Sequence, residues 1–185
     1  MHDANPNTIF PPREGLIRQL RPSDLPHFRD HLLRLDARSR RDRFNGVTDD
    51  EFVAHYAERS FRSGTTVVGY VEGDVVRGAA ELHERTDLPE PTGEIAFSVE
   101  EHLQGRGTGS RLFERLIAHA LALGYRKLWV TTHPQNAAMR ALARKFEADL
   151  HFEDGASAGT ITLPEGRFSF VPVLDDARPE RLGRA

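Results

Sequence analysis

The chain has 185 residues, 29% of them charged, with a formal net charge of −3 and no cysteine. That length suits one domain with a real core. The charge balance supplies no global basic field for nucleic acid or an anionic membrane, and the lack of thiols excludes disulfides, thiolate metal sites and cysteine nucleophiles.

The first residues lack the basic start and apolar core of a signal peptide, and no apolar run approaches the ~18 residues of a membrane span, so a cytoplasmic protein is expected. Residues 1–14, with Pro6, Pro11 and Pro12, read as a flexible tail, residues 15–173 as a single domain, and residues 174–185 as a second flexible tail. Leu16 to Leu20 forms a short strand. Pro22-Ser23-Asp24 then offers turn and N-cap chemistry for a helix carrying Leu25, Phe28, Leu32, Leu33 and Leu35. Thr48-Asp49-Asp50-Glu51 is a second helix start, with Thr48 and Glu51 spaced as a capping box, followed by Phe52, Val53, Tyr56 and Ala57 on one face.

From Thr65 the period changes. Thr65 to Val71 and Val75 to Leu82 are β-prone and flank the tight-turn signal Glu72-Gly73-Asp74, which predicts an antiparallel hairpin. Glu94 to Val99 follows as a strand. Leu112, Phe113, Leu116, Ile117, Ala120 and Leu121 mark a helix over 110–123, closed by Gly124 and followed by a strand over 126–132. Strand, helix and strand make a βαβ crossover, which implies a mixed α/β sheet. A last helix, about Gln135 to Phe146, precedes β-prone pieces near 150–152, 160–163 and 168–173.

Between strand and helix lies Gln104-Gly105-Arg106-Gly107-Thr108-Gly109, which reads as a pyrophosphate-binding turn. Glycines let the backbone approach an anion without Cβ interference, and amides at a helix N-terminus point outward with partial positive charge. A mononucleotide P-loop needs Lys-Ser/Thr after its last glycine, where this chain has Ser110-Arg111. A dinucleotide turn needs G-x-G-x-x-G, where this chain has G-x-G-x-G. A glycine-rich turn with no ligand is the bland alternative.

The pattern Q-x-x-G-x-G in this position resembles the signature of the GNAT superfamily of coenzyme A-dependent N-acyltransferases, and the resemblance runs roughly from Gly15 to Ala148. It implies a mixed, mostly antiparallel sheet with a central parallel βαβ crossover and flanking helices. It also implies an enzyme moving an acetyl or short acyl group from acetyl-CoA to a primary amine by direct attack. In such a protein the main chain at Phe97 and Val99 pairs with the pantetheine arm, and the stretch Gln104, Gly105, Arg106, Gly107, Thr108, Gly109 and Ser110 holds the pyrophosphate. Arg106 adds charge there or is simply an exposed loop residue. Asn136 faces the cofactor arm or is simply a helix-start residue, and Arg140, Arg144 and Lys145 are candidates for the ribose phosphate or form a solvated face.

The resemblance makes Glu94 the catalytic base, against the alternative of a strand-end glutamate in solvent. Alternation puts it on one face with Ala96 and Ser98, and a useful base there needs burial or a like charge nearby. Two positions depart from the family. Ala143 stands where many members carry a tyrosine acid, and Glu147-Ala148 replaces the usual Gly-Phe, removing a glycine C-cap. These departures motivate the competing reading, a non-catalytic acyl-CoA-binding or regulatory module. Ser39-Arg40-Arg41-Asp42-Arg43-Phe44 resembles a segment of bacterial domains related to protein lysine acetyltransferases, or is an exposed basic stretch; the acceptor is a small-molecule amine or a protein lysine. No metal is expected: His27 and His31 are spaced i, i+4, but no third ligand has matching spacing, and His27 is placed on the apolar face beside Phe28. Oligomeric state is not legible.

Overall fold

In a computed structural model, which describes residues 15–153 and 155–164, strand β1 (Leu16–Gln19) leads into three helices. These are α1 (Leu25–Arg34), α2 (Ala37–Phe44) and α3 (Asp50–Arg59). The hairpin β2 (Thr65–Glu72) and β3 (Val75–Glu84) follows, then β4 (Thr92–Val99), α4 (Thr108–Ala122) and β5 (Lys127–Thr132). Helix α5 (Ala137–Lys145) and the hairpin β6 (Asp149–Glu153) and β7 (Ala156–Thr162) complete the described chain. The expected tails and the β-prone stretch 168–173 lie outside the described residues. Among these residues no helix is long and apolar enough to cross a membrane.

The strands form one sheet in the order β1-β2-β3-β4-β5-β7-β6. Among the described strands only β4 and β5 run parallel, as the crossover through α4 requires; the other neighbours are antiparallel. This is the mixed, mostly antiparallel sheet anticipated above. Period-two alternation gives it two apolar faces. Val68, Ala80, Leu82 and Ile95 pack with Leu112, Phe113, Leu116 and Ala120 of α4. Val67, Val71, Val76 and Ala79 pack on the other face with Phe28 and Leu32 of α1 and Val53 and Ala57 of α3.

The helix ends differ in detail from the sequence reading. Thr48 does not cap α3. Asp49 does, accepting from Phe52 N at 2.8 Å, and its carboxylate adds negative charge where the helix dipole favours it. Asp24 precedes α1 without capping it, because both its oxygens take the Arg18 guanidinium at 2.8 Å. Helix α2 was not anticipated: Ala-Arg-Ser-Arg-Arg-Asp-Arg-Phe has no apolar stripe. It is started by Asp36, which accepts from Arg38 N and Ser39 N, and stopped by Asn45 at φ 54°.

Helix α5 ends without its glycine and still closes the usual way. Glu147 adopts φ 61°, Glu147 N donates to Arg144 O and Ala148 N donates to Ala143 O, both at 3.0 Å. That is a Schellman pair of bonds built on a non-glycine residue.

Candidate active site

Strand β4 keeps β3 as its neighbour along its length, with Val99 still opposite Gly78, but pairs with β5 only from Thr92 to Ile95. Beyond Ile95 the two parallel strands part. Thr92 O accepts from Arg85 N and Glu100 N donates to Arg77 O, so the even-numbered main-chain groups of this stretch turn towards β3. Alternation therefore turns the main chain of Phe97 and Val99 into the gap. Val99 O is held there by Gln104 Nε2 at 2.8 Å, and the same amide donates to Ser39 Oγ at 3.0 Å. The Gln104 side chain thus ties the glycine turn to the end of β4 and to α2.

In the turn, Gly105 and Gly107 have φ of 69° and 83°, and a Cβ on either would meet nothing within 4 Å. Gly107 is the N-cap of α4, and Arg111 N returns to Gly107 O at 3.0 Å, so the amides of Thr108, Gly109 and Ser110 precede the first bond of the helical ladder. They lead out of the helix with the positive end of its dipole.

Gap and turn open into one cleft of about 740 Å³. Of the residues singled out in the sequence, Glu94, Phe97, Val99, Gln104, Gly105, Gly107, Gly109, Ser110 and Asn136 line it. Arg106 is exposed on the turn and the Thr108 side chain is buried beneath it, so neither is part of the lining. Asn136 spends its Oδ1 on capping α5, accepting from Met139 N at 2.9 Å, while facing the cleft. Lys145 lines the cleft too. Ala143 is fully buried in the core. The Glu94 side chain is 39% exposed, stands opposite His83 on β3 and has Arg85 Nη1 at 3.4 Å, so solvent and a cation surround it in place of the burial or like charge expected of a base.

Asp42, Phe44, Phe52 and Tyr56, from α2 and α3, also line the cleft. Beneath them lies a group the sequence reading missed. Glu81, opposite Ala96 on the neighbouring strand, is 1% exposed and accepts from Arg43, from Tyr56 Oη at 2.9 Å and from Ser60 Oγ at 2.9 Å. Burial alone would raise the Glu81 carboxyl, but the Arg43 charge, with His83 beside it, holds it well below the usual range. Burial and the Glu81 charge push the Tyr56 phenol up, so it stays protonated. A lone glutamate inside the apolar run Val75 to Leu82 was the available signal, because buried carboxylates need partners.

A second missed group joins α1 to β4. His31 has no exposed surface; its Nε2 lies 2.9 Å from Ser98 Oγ and its Nδ1 3.3 Å from Glu100 Oε1. Burial pushes the imidazole below its ordinary value against the opposing pull of Glu100. For Glu100, burial works upward, but hydrogen bonds from His31, Arg34 and Arg77 hold the carboxyl down to about 2. His27, placed on the apolar face from sequence, is instead exposed, because the buried stripe of α1 runs through Phe28, His31 and Leu32.

Comparison with known proteins agrees with this geometry. The profile described as the acetyltransferase (GNAT) family matches residues 29–147. An L-2,4-diaminobutyric acid acetyltransferase of Nocardia farcinica is 30% identical over 122 residues, which is 62% of this chain and 63% of that relative. The chain therefore matches less than two thirds of that protein's length. The GNAT domain of S. lividans PAT superposes with a TM-score of 0.73 at 20% identity, over 80% of this chain and 90% of that one. A phosphinothricin acetyltransferase of Sinorhizobium meliloti, solved in complex with acetyl-CoA, gives a TM-score of 0.61 at 18% identity over 83% and 91% of the two chains. With well over half of its length matched by the family profile, on this sheet and with this turn, the chain belongs to the acetyltransferase (GNAT) family.

Proposed function

We propose that the chain transfers an acetyl or other short acyl group from acetyl-CoA to a primary amine by direct attack, with Glu94 as general base. The observation that carries this reading is the parting of β4 from β5 after Ile95, with the outward amides of α4 and Glu94 in the same cleft. The open main chain of Phe97 and Val99 suits an extended, amide-bearing arm, and the amides from Gly105 to Ser110 suit its pyrophosphate. The turn fits such a group physically, because Gly105 and Gly107 leave open space where side chains would stand. Arg106 adds charge from the exposed side of the turn, Asn136 faces the arm, and Gln104 positions the end of β4.

Acetyl-CoA supplies an activated thioester carbonyl, and the Phe97 and Val99 amides are placed to polarise it. An alkylammonium with a pKa near 10.4 is neutral in only roughly one molecule in a few thousand at pH 7, so the reaction needs a group to take its proton. Glu94 is the cleft carboxylate on the strand that borders the gap. Helices α2 and α3 supply further lining, with the Asp42 carboxylate and the Phe52 ring in it, as a surface for the acceptor, a small-molecule amine or a lysine side chain.

The test begins with thermal unfolding in acetyl-CoA at about 100 times its dissociation constant, which is expected to add about 2.7 kcal/mol and to raise Tm by about 5–10 °C. A panel of amines, with diaminobutyrate and lysine peptides among them, is then assayed for amine-dependent release of free thiol. Binding without release would leave an acyl-CoA-binding module and refute the catalytic reading.

A further inference from the structure

An alkylammonium acceptor carries three N–H protons and its amide product keeps one. Two protons therefore leave the nitrogen in each turnover, and Glu94 accounts for one of them. Ser98 lies on β4 in the same cleft and, by alternation, on the same face as Glu94. Its Oγ meets His31 Nε2 at 2.9 Å, and His31 Nδ1 meets Glu100 Oε1 at 3.3 Å. An ionised carboxylate only accepts, so Nδ1 carries the ring proton and Nε2 presents its lone pair to the Ser98 hydroxyl. Glu100 is held in turn by Arg34 Nε at 2.9 Å and Arg77 Nη1 at 3.0 Å. Hydroxyl, imidazole and carboxylate stand in the order that draws a proton off a hydroxyl.

We infer that Ser98, His31 and Glu100 form a proton relay that takes the second proton from the attacking amine and returns it to the departing sulfur. The inference rests on the acyl-transfer reading above. The N–C bond forms, the C–S bond breaks, and sulfur leaves with the bonding pair. The nitrogen's proton passes to Ser98 Oγ as the Ser98 hydroxyl proton passes to His31 Nε2. Glu100 stabilises the imidazolium. His31 has no exposed surface, so the proton leaves as it came, through Ser98 to the thiolate, and the relay ends neutral. The surroundings suit a base that is empty at rest: burial and Arg34 disfavour the imidazolium, while Glu100 and Glu81 favour it.

The same hydrogen bonds would also tie α1 to β4, so the test separates the two roles. NMR of the protein carrying ¹⁵N-labelled histidine reads the tautomer directly. The relay requires His31 protonated at Nδ1 and bare at Nε2, and an Nε2-protonated ring overturns it whatever the activity. Ser98→Ala is expected to lose about a hundredfold in kcat at saturating amine while keeping its affinity for acetyl-CoA. His31→Gln, checked for folding by circular dichroism, is expected to match it, and the two losses are not expected to add. A Ser98→Ala kcat within about threefold of wild type overturns the relay, as does a loss matched by an equal loss of acetyl-CoA affinity. Absence of amine-dependent thiol release from the wild type would refute the acyl-transfer reading and the relay with it.

Discussion

Arg43 of α2 and Glu81 of β3 form a buried ion pair beneath the part of the cleft lined by α2 and α3, their side chains 7% and 1% exposed. The pair explains why a helix without an apolar stripe holds its place. Arg43 also lies over the rings of Phe44 and Tyr56, at 5.0 and 4.9 Å, and Tyr56 in turn bonds Glu81. Removing either charge leaves the other uncompensated in a low-dielectric site.

Glu81→Gln is accordingly expected to destabilise the protein by about 3–5 kcal/mol, read as a shift of the urea midpoint without a change in slope. A loss below about 1 kcal/mol would mean that water reaches the pair and screens it.

The acid limb of stability follows from Glu100 and His31. Both groups hold fewer protons folded than unfolded, Glu100 with its carboxyl at about 2 and His31 below its ordinary value. Their contribution is present above the unfolded values, near 6.5 for histidine and 4.3 for glutamate, and is lost as pH falls through the folded ones. Denaturant unfolding from pH 7 to pH 3 is expected to show this decline, and Glu100→Gln is expected to flatten its lower part.

For Glu94→Gln we expect kcat to fall by about 10²–10⁴ with acetyl-CoA affinity unchanged, measured by steady-state kinetics and calorimetry. Full activity across pH on an identified acceptor would remove Glu94 as the base.

Gly107→Ala places a Cβ where no atom lies within 4 Å while forcing alanine to φ 83°. Stability is expected to fall by about 1–2 kcal/mol, and acetyl-CoA affinity to fall with it, by calorimetry. Undiminished affinity would show that the turn does not approach the ligand.

Glu147→Gly tests the opposite case. It relieves the left-handed strain at the end of α5 and is expected to stabilise by about 1 kcal/mol, a Tm rise of about 2–4 °C.

The sequence by itself determined what local periodicity and backbone chemistry control. The hairpin around Gly73, the α4 stripe from Leu112 to Leu121 and the strand at Leu128 are each written in neighbouring residues, so their order implied the crossover and the sheet. The turn at Gly105 and Gly107 was legible because positive φ selects glycine. Only the tertiary structure decided the polar interior. Arg43 and Glu81 are 38 residues apart, His31 and Ser98 are 67 apart, and each reads alone as a surface charge or a ligand candidate. Helix α2 is held by Asp36 at its start and by that distant carboxylate, neither of which leaves a helical period to read. The direction of the Gln104 side chain, inward to Val99 O, was likewise set by where β4 parts from β5. A burial penalty is offset by whichever partner the fold brings within hydrogen-bond reach, and that partner is a property of three dimensions.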